Sequence, residues 1–213
     1  MRRFRAQLAA GVFILLTGSS FVASPGGSSC SADENHGSSI RDAKLPASLQ
    51  LVDVDGRPFD LRKASKGRAH VVVFVRSDCP ISNKMAPEVR ELCTAFKSRE
   101  TDIYLVYVDP RESAEAIRTH LHDYEYTCPA VRDMKHELAT ATGATVTPEA
   151  VVFDRDWKVV YRGRINNMFE DIGKSRDKAT THELRDAIDA TLAGRAIAEP
   201  ETKAIGCYID DLK

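Results

Sequence analysis

The chain has 213 residues, and 30 lysines and arginines stand against 31 aspartates and glutamates for a formal net charge of −1. That length supports one well-buried domain with tails. The balanced charge excludes the concentrated basic surface that nucleic-acid binding requires, so no nucleic-acid partner is expected.

Arg2, Arg3 and Arg5 precede an apolar run from Leu8 to Leu16, which continues weakly to Val22 and Ala23. A positive segment followed by an apolar one is the pattern of a secretory signal. Residues 1–29 are therefore read as a signal peptide or a lipoprotein signal. Thr17-Gly18-Ser19-Ser20 interrupts the run, which leaves it short for a full membrane span. Removing the signal strips three arginines and no acids, so the remainder carries about −4. Cys30 sits where a lipid-modified cysteine would follow a lipoprotein signal, but Gly27 stands where a large aliphatic residue is expected. A lipid anchor at Cys30 and a plain linker cysteine both stay open. Residues 24–44 are rich in Ser, Gly and Asp, and residues 30–46 read as a flexible linker. This N-terminus points to a periplasmic or otherwise extracytoplasmic protein, membrane-tethered if Cys30 is lipidated.

Residues 47–197 read as one α/β domain. Leu51 to Leu61 alternates around Asp55-Gly56, a hairpin signal. His70 to Val75 is an apolar central strand, and it breaks into a turn carrying Cys79-Pro80. Met85, Val89, Leu92 and Phe96 recur at helical spacing, which predicts a helix over 83–97 with a kink at Pro87. Ile103 to Val108 is a second buried strand, and Ile117, Leu121 and Tyr124 mark a second helix. A short strand at Ala130–Asp133 and a short helix from His136 to Thr142 follow. Thr147-Pro148 then leads into strands Ala150–Phe153 and Val159–Arg162, joined by a turn at Asp154–Trp157. Thr180-Thr181-His182-Glu183 has the form of a capping box for a last helix striped by Leu184, Ile188 and Leu192 and ended by Gly194. The order predicts a mixed central sheet with helices on both faces. Residues 198–213 form a tail carrying Cys207.

Cys79 stands where a strand ends and a helix begins. Unpaired N–H groups and the helix dipole at that point favour thiolate over thiol, and the thiolate is the reactive form. A strand, a Cys-Pro at a helix start and a Thr-Pro ahead of a later strand together resemble the thioredoxin-like fold. The resemblance is to the redoxin branch, which includes the alkyl hydroperoxide reductase/thiol-specific antioxidant and thiol-disulfide oxidoreductase families. Within it the chain is similar to exported bacterial proteins with a Cys-Pro-x-Ser-Asn site, a Tyr-Arg-Gly-Arg-Ile-Asn segment and a Gly-Cys tail. Those motifs are matched here by Cys79 to Asn83, by Tyr161 to Asn166, and by Gly206-Cys207. The resemblance implies a cis bond at Thr147-Pro148 with Pro148 against Cys79, a substrate groove shaped by Thr147 and Pro148, and a role for Arg164 beside it. It implies thiol or disulfide protein substrates, a separate electron donor, and no cofactor or metal. Asn83 either caps the site helix or binds substrate.

Ser82 occupies the second cysteine position of a Cys-x-x-Cys motif, so Cys79 has no local partner. Cys93 lies 14 residues along the same helix, about 20 Å away and beyond disulfide reach, and reads as a buried structural thiol. Cys128, ahead of a strand, reads as a packing residue before a redox one. Cys207 has enough free chain to fold back over the site, although spacing alone is equally consistent with a cysteine of no role. The resemblance favours Cys207 as the thiol that resolves oxidised Cys79. Peroxiredoxins carry Pro-x-x-x-Thr-x-x-Cys, and here those positions are Val72 and Arg76, which argues against a fast peroxidase. His120 and His122 point about 200° apart on a helix and are read as solvated side chains. Arg76 by itself reads as an ordinary surface residue. The rival functions are a thioredoxin-fold carrier of a soft metal such as Cu(I), a partner-docking module, and a slow thiol peroxidase.

Overall fold

In the computed structural model the described residues are 40 and 43–209, so the segment read as a signal, Cys30 and most of the segment read as a linker lie outside them. The expected hairpin is present. β1 (Leu51–Asp53) pairs antiparallel with β2 (Pro58–Phe59), and Gly56 between them takes a φ of +86° that side chains resist. Asp60 caps α1 (Leu61–Ala64) by accepting from the Arg62 and Lys63 N–H groups. The main body follows as β3 (Ala69–Val75), α2 (Pro80–Phe96), β4 (Thr101–Tyr107), α3 (Ala114–Asp123), β5 (Ala130–Arg132) and α4 (Glu137–Thr142). Next come β6 (Val146–Thr147), β7 (Glu149–Phe153), β8 (Val159–Gly163), β9 (Phe169–Asp171), β10 (Lys174–Ser175), α5 (Glu183–Leu192) and β11 (Cys207–Tyr208).

Seven strands form one mixed sheet in the order β2-β1-β5-β4-β3-β7-β8, with β3, β4 and β5 parallel and β7 and β8 antiparallel. β3 is central and buried throughout, which is why it reads as an unbroken apolar run rather than an alternation. Val71, Val73 and Val75 join the cluster made with α2, α3 and α5, while Val72 and Phe74 join the cluster made with α1 and α4. Helices therefore cover both faces, the mixed α/β architecture of the thioredoxin-like fold. No helix among the described residues is long and apolar enough to cross a membrane.

Several expectations need correction. α2 begins at Pro80, because Cys79 takes the cap and proline at the first helical position sacrifices no internal hydrogen bond. It continues past Pro87 to Phe96 as one helix. The capping box at Thr180 does not form, and α5 starts after His182 without a side-chain cap. The Glu183 carboxylate is instead bound by the Arg164 guanidinium and by the Thr181 hydroxyl at 2.6 Å. His120 is not solvated; it is buried, while His122 beside it is exposed.

The largest correction concerns two cysteines. Cys93, expected as a free buried thiol, and Cys128, expected to pack, form a disulfide with 5.6 Å between their Cα atoms. Periodicity along α2 places Cys93 on an apolar face but does not say which loop crosses that face. The segment ahead of β5 does so, and both cysteines pack into the same cluster.

The packed body also extends past its expected ends. Leu45 is buried and its N–H donates to the Trp157 carbonyl at 2.9 Å, within the segment read as linker. The C-terminal segment runs along β8, with Arg162 N–H donating to Pro200 and Thr202 N–H to Arg162, both at 3.0 Å.

Candidate active site

The site forms where β3 ends and α2 begins. Cys79 caps α2 in an extended conformation, and its Sγ accepts the Ser82 N–H at 3.4 Å. The side chain is only 1% exposed. Across from it the Thr147–Pro148 bond is cis, and the Thr147 carbonyl lies 3.1 Å from Cys79 Sγ, positioned to accept from the thiol. Of these two backbone groups, the carbonyl suits the thiol and the helix N–H the thiolate.

Cys207 completes the arrangement. β11 pairs antiparallel with β6, setting Cys207 opposite Thr147 and Tyr208 opposite Val146. Cys207 Sγ is 2.8 Å from Cys79 Sγ, and both cysteines are unbridged. Ile209 N–H donates to the Thr145 carbonyl at 2.9 Å, and Arg76 donates to the Tyr208 carbonyl at 3.4 Å. Burial pushes the Cys79 thiol up, but the contact with Cys207 and the Ser82 N–H outweigh it and leave the thiol below its ordinary value. Burial and the neighbouring Cys79 push Cys207 up to about 12. The two sulfurs are therefore unequal, with Cys79 the readier to ionise.

A second layer fixes the loop. Glu112 accepts both the backbone N–H of Ser77, at 2.8 Å, and the Ser77 hydroxyl. Burial raises the Glu112 carboxyl above its usual range. Asn83 Nδ2 donates to the Ser77 carbonyl at 2.8 Å, so Asn83 Oδ1 is left to accept from His120 Nε2, also at 2.8 Å. His120 Nδ1 then accepts from the Tyr107 hydroxyl at 2.7 Å. Donation to Asn83 places a proton on Nε2, and burial among Tyr107, Tyr124 and Tyr126 lowers the basicity of the ring, which favours the neutral form. On the other side of the groove the buried Glu149 accepts the Thr145 and Val146 N–H groups at 2.8 and 3.3 Å, bracing the residues before Pro148.

The residues singled out in the sequence separate into two groups. Cys79, Cys207, Thr147 and Pro148 converge within a few ångströms, and Asn83 joins them through Ser77. Arg164 does not touch the thiols; among the described residues its side chain is held by Glu183. Arg76 is not an ordinary surface arginine, because its side chain is only 12% exposed and pairs with Asp78 and Asp109 while it holds the tail. The Ser82 hydroxyl is buried without a hydrogen-bond partner among the described residues. Sequence reasoning missed Glu112, Ser77 and His120. The spacing of His120 from Ile117, Leu121 and Tyr124, on one helical stripe, is the signal that would have found it. Among the described residues no group of three or more His, Cys, Asp and Glu side chains is gathered to hold a metal.

Comparison with known proteins agrees with the fold. Residues 36–174 match the Redoxin family. Thiol-disulfide oxidoreductase ResA from Bacillus thuringiensis, and its namesake from Bacillus cereus, are each 24% identical over 110 residues. That alignment covers 52% of this chain and spans 62% of the length of those curated relatives. A conserved protein of Geobacillus kaustophilus superposes with a TM-score of 0.67 at 25% identity, covering 80% of this chain and 93% of that one. A protein of Sinorhizobium meliloti gives 0.66 at 24% identity over 78% of this chain and 96% of its own, and shares the fold. With a match that spans well over half of its length, the chain belongs to the Redoxin family.

Proposed function

We propose that this protein is an exported thiol oxidoreductase in which Cys79 is the nucleophile and Cys207 the resolving thiol. The observation that carries the reading is the pairing of a helix-capping thiol of lowered pKa with a second thiol 2.8 Å away across the cis-proline loop. In the reducing direction the Cys79 thiolate attacks one sulfur of a substrate disulfide, and the other leaves as a thiolate. Cys207, losing its proton, then attacks Cys79 in the mixed disulfide. The substrate is released as a dithiol and a Cys79–Cys207 disulfide remains. A separate donor returns two electrons and two protons. In the oxidising direction the same steps run backwards, and a peroxide would instead convert Cys79 to a sulfenic acid that Cys207 condenses, with loss of water. Pro148 and Thr147 shape the groove, and Asn83 positions the loop. The Arg164 N–H donates to the Thr202 hydroxyl at 3.1 Å and so helps anchor the segment that leads to Cys207.

Export is supported by the signal-like N-terminus and by the Cys93–Cys128 disulfide, since structural disulfides persist in oxidising compartments. The test is peptide mapping of wild type and Cys207→Ser after mild oxidation with thiols trapped. A Cys79–Cys207 link in wild type, lost in the variant, is the expected result. A Cys79 that stays reduced in wild type would overturn the reading. Two thiols this close also suit a soft ion such as Cu(I), and co-purified copper that blocks alkylation would favour the carrier reading instead.

A further inference from the structure

The C-terminal segment does more than deliver a thiol. It lies in the groove as an extended strand, read by the groove at three consecutive kinds of position. Its backbone pairs with β6, with Cys207 opposite Thr147 and the Ile209 N–H on the Thr145 carbonyl at 2.9 Å. Gly206 approaches so closely that a Cβ there would collide with the Thr147 carbonyl and meet the Pro148 nitrogen. Both are backbone atoms of a loop braced by Glu149, so the groove has no flexible side chain to move aside. Ile209 is 1% exposed and inserts into the cluster that contains Val72, Phe74, Leu138 and Val151. Tyr208 between them points outward and is 60% exposed, so its identity is not read.

We infer that this groove is a peptide-recognition site whose occupant is an extended Gly-Cys-x-aliphatic segment of a partner protein, taken in place of residues 206–209 of the chain itself. The inference rests on the proposed role of Cys79 and adds the partner's chemistry. Glycine must precede the cysteine because only hydrogen fits against Thr147. An aliphatic residue two places after it fills the site of Ile209, and main-chain hydrogen bonds to β6 supply sequence-independent affinity. The chain's own tail and the partner segment cannot pair with β6 together, so the tail sets the threshold that a partner must exceed, and Cys207 resolves the mixed disulfide once the partner's backbone leaves β6 and the tail returns.

The experiment uses the full chain carrying Gly206→Ala and Cys207→Ala, which weakens the tail's own fit and leaves Cys79 alone at the site. The probe is the peptide Ala-Ile-Gly-Cys-Tyr-Ile-Asp with thionitrobenzoate disulfide-bonded to its cysteine. The Cys79 thiolate attacks the peptide sulfur, the bond to thionitrobenzoate breaks, and coloured thionitrobenzoate leaves as a thiolate. The parent peptide is expected to react about tenfold faster than versions with alanine for the glycine or serine for the isoleucine two places after the cysteine. Equal rates for all three peptides, with Cys79 still reactive toward Ellman's reagent, would overturn the inference and leave the nucleophile standing. A Cys79 inert to both reagents would overturn the proposed function and this inference with it. Should the double variant fail to fold, Cys207→Ala alone is assayed with the same three peptides, and the same ranking is required.

Discussion

His120 Nε2 stands 2.8 Å from Asn83 Oδ1, and the same amide donates to the Ser77 carbonyl two residues ahead of Cys79. An imidazole on α3 thereby sets the loop that carries the reactive thiol, through a single amide on α2. Burial favours the neutral imidazole, the form whose Nδ1 accepts from the Tyr107 hydroxyl.

Acid should therefore loosen the fold through His120. Burial holds its folded pKa below the unfolded value of about 6.5, so the stability it contributes is full above that value and is lost as pH falls through it. His70 is lowered by burial in the same sense, so the comparison must be between variants. The urea midpoint of wild type is expected to drop more steeply from pH 7.5 to 5.5 than that of His120→Gln. Parallel slopes would show that His120 is not the responsive group.

The two site thiols should titrate far apart. Thiolate absorbance at 240 nm is expected to rise in one step below the ordinary thiol value, with Cys207 ionising only toward about 12. Cys207→Ala removes a hydrogen bond that lowers Cys79 while leaving much of its burial, so the first step should move up. A first step at the same pH in both proteins would exclude Cys207 as its cause. Because the groups interact, the steps in wild type belong to the pair.

A local dithiol should be installable. The Ser82 hydroxyl has no hydrogen bond to lose among the described residues, and its backbone N–H already faces Cys79 Sγ. In Cys207→Ala, the added change Ser82→Cys is expected to yield, on mild oxidation, a disulfide between Cys79 and the introduced thiol. Mapping that finds Cys79 unlinked would mean that the cap geometry holds the two side chains apart.

Replacing both Cys93 and Cys128 by alanine should destabilise the protein by about 3–4 kcal/mol, the loop-closure value for a crosslink of this span. Urea unfolding measures the loss, and thiolate titration of Cys79 should be unchanged. An unaltered midpoint would mean that apolar packing alone fixes α2 against the segment before β5.

The sheet and its helices were legible because α2 and α3 repeat their apolar residues at helical spacing, while β3 and β4 are near-continuous apolar runs too short for a helix. Cys79 and the Thr147–Pro148 turn were legible for another reason: each stands where one element stops and the next begins. The rest of the site is long-range. β6 and β11 are two residues each, 60 positions apart, too short to show a period, and only the geometry of the cis-proline loop brings them together. The Cys93–Cys128 bond and the Glu112–Ser77 contact likewise join separate elements, and no local pattern encodes which loop meets which helix.

The two cysteine pairs are nested, Cys93 and Cys128 lying inside the interval bounded by Cys79 and Cys207. A chain made from its N-terminus presents Cys79, Cys93 and Cys128 well before Cys207 exists. Of those three, the nearest neighbours in sequence, Cys79 and Cys93, are the wrong pair. α2 is what prevents the error. Once it is wound, Cys79 and Cys93 sit at opposite ends of a rigid rod about 20 Å apart. That separation keeps Cys79 and Cys93 from joining each other, and leaves Cys93 to the bond with Cys128 that the structure shows.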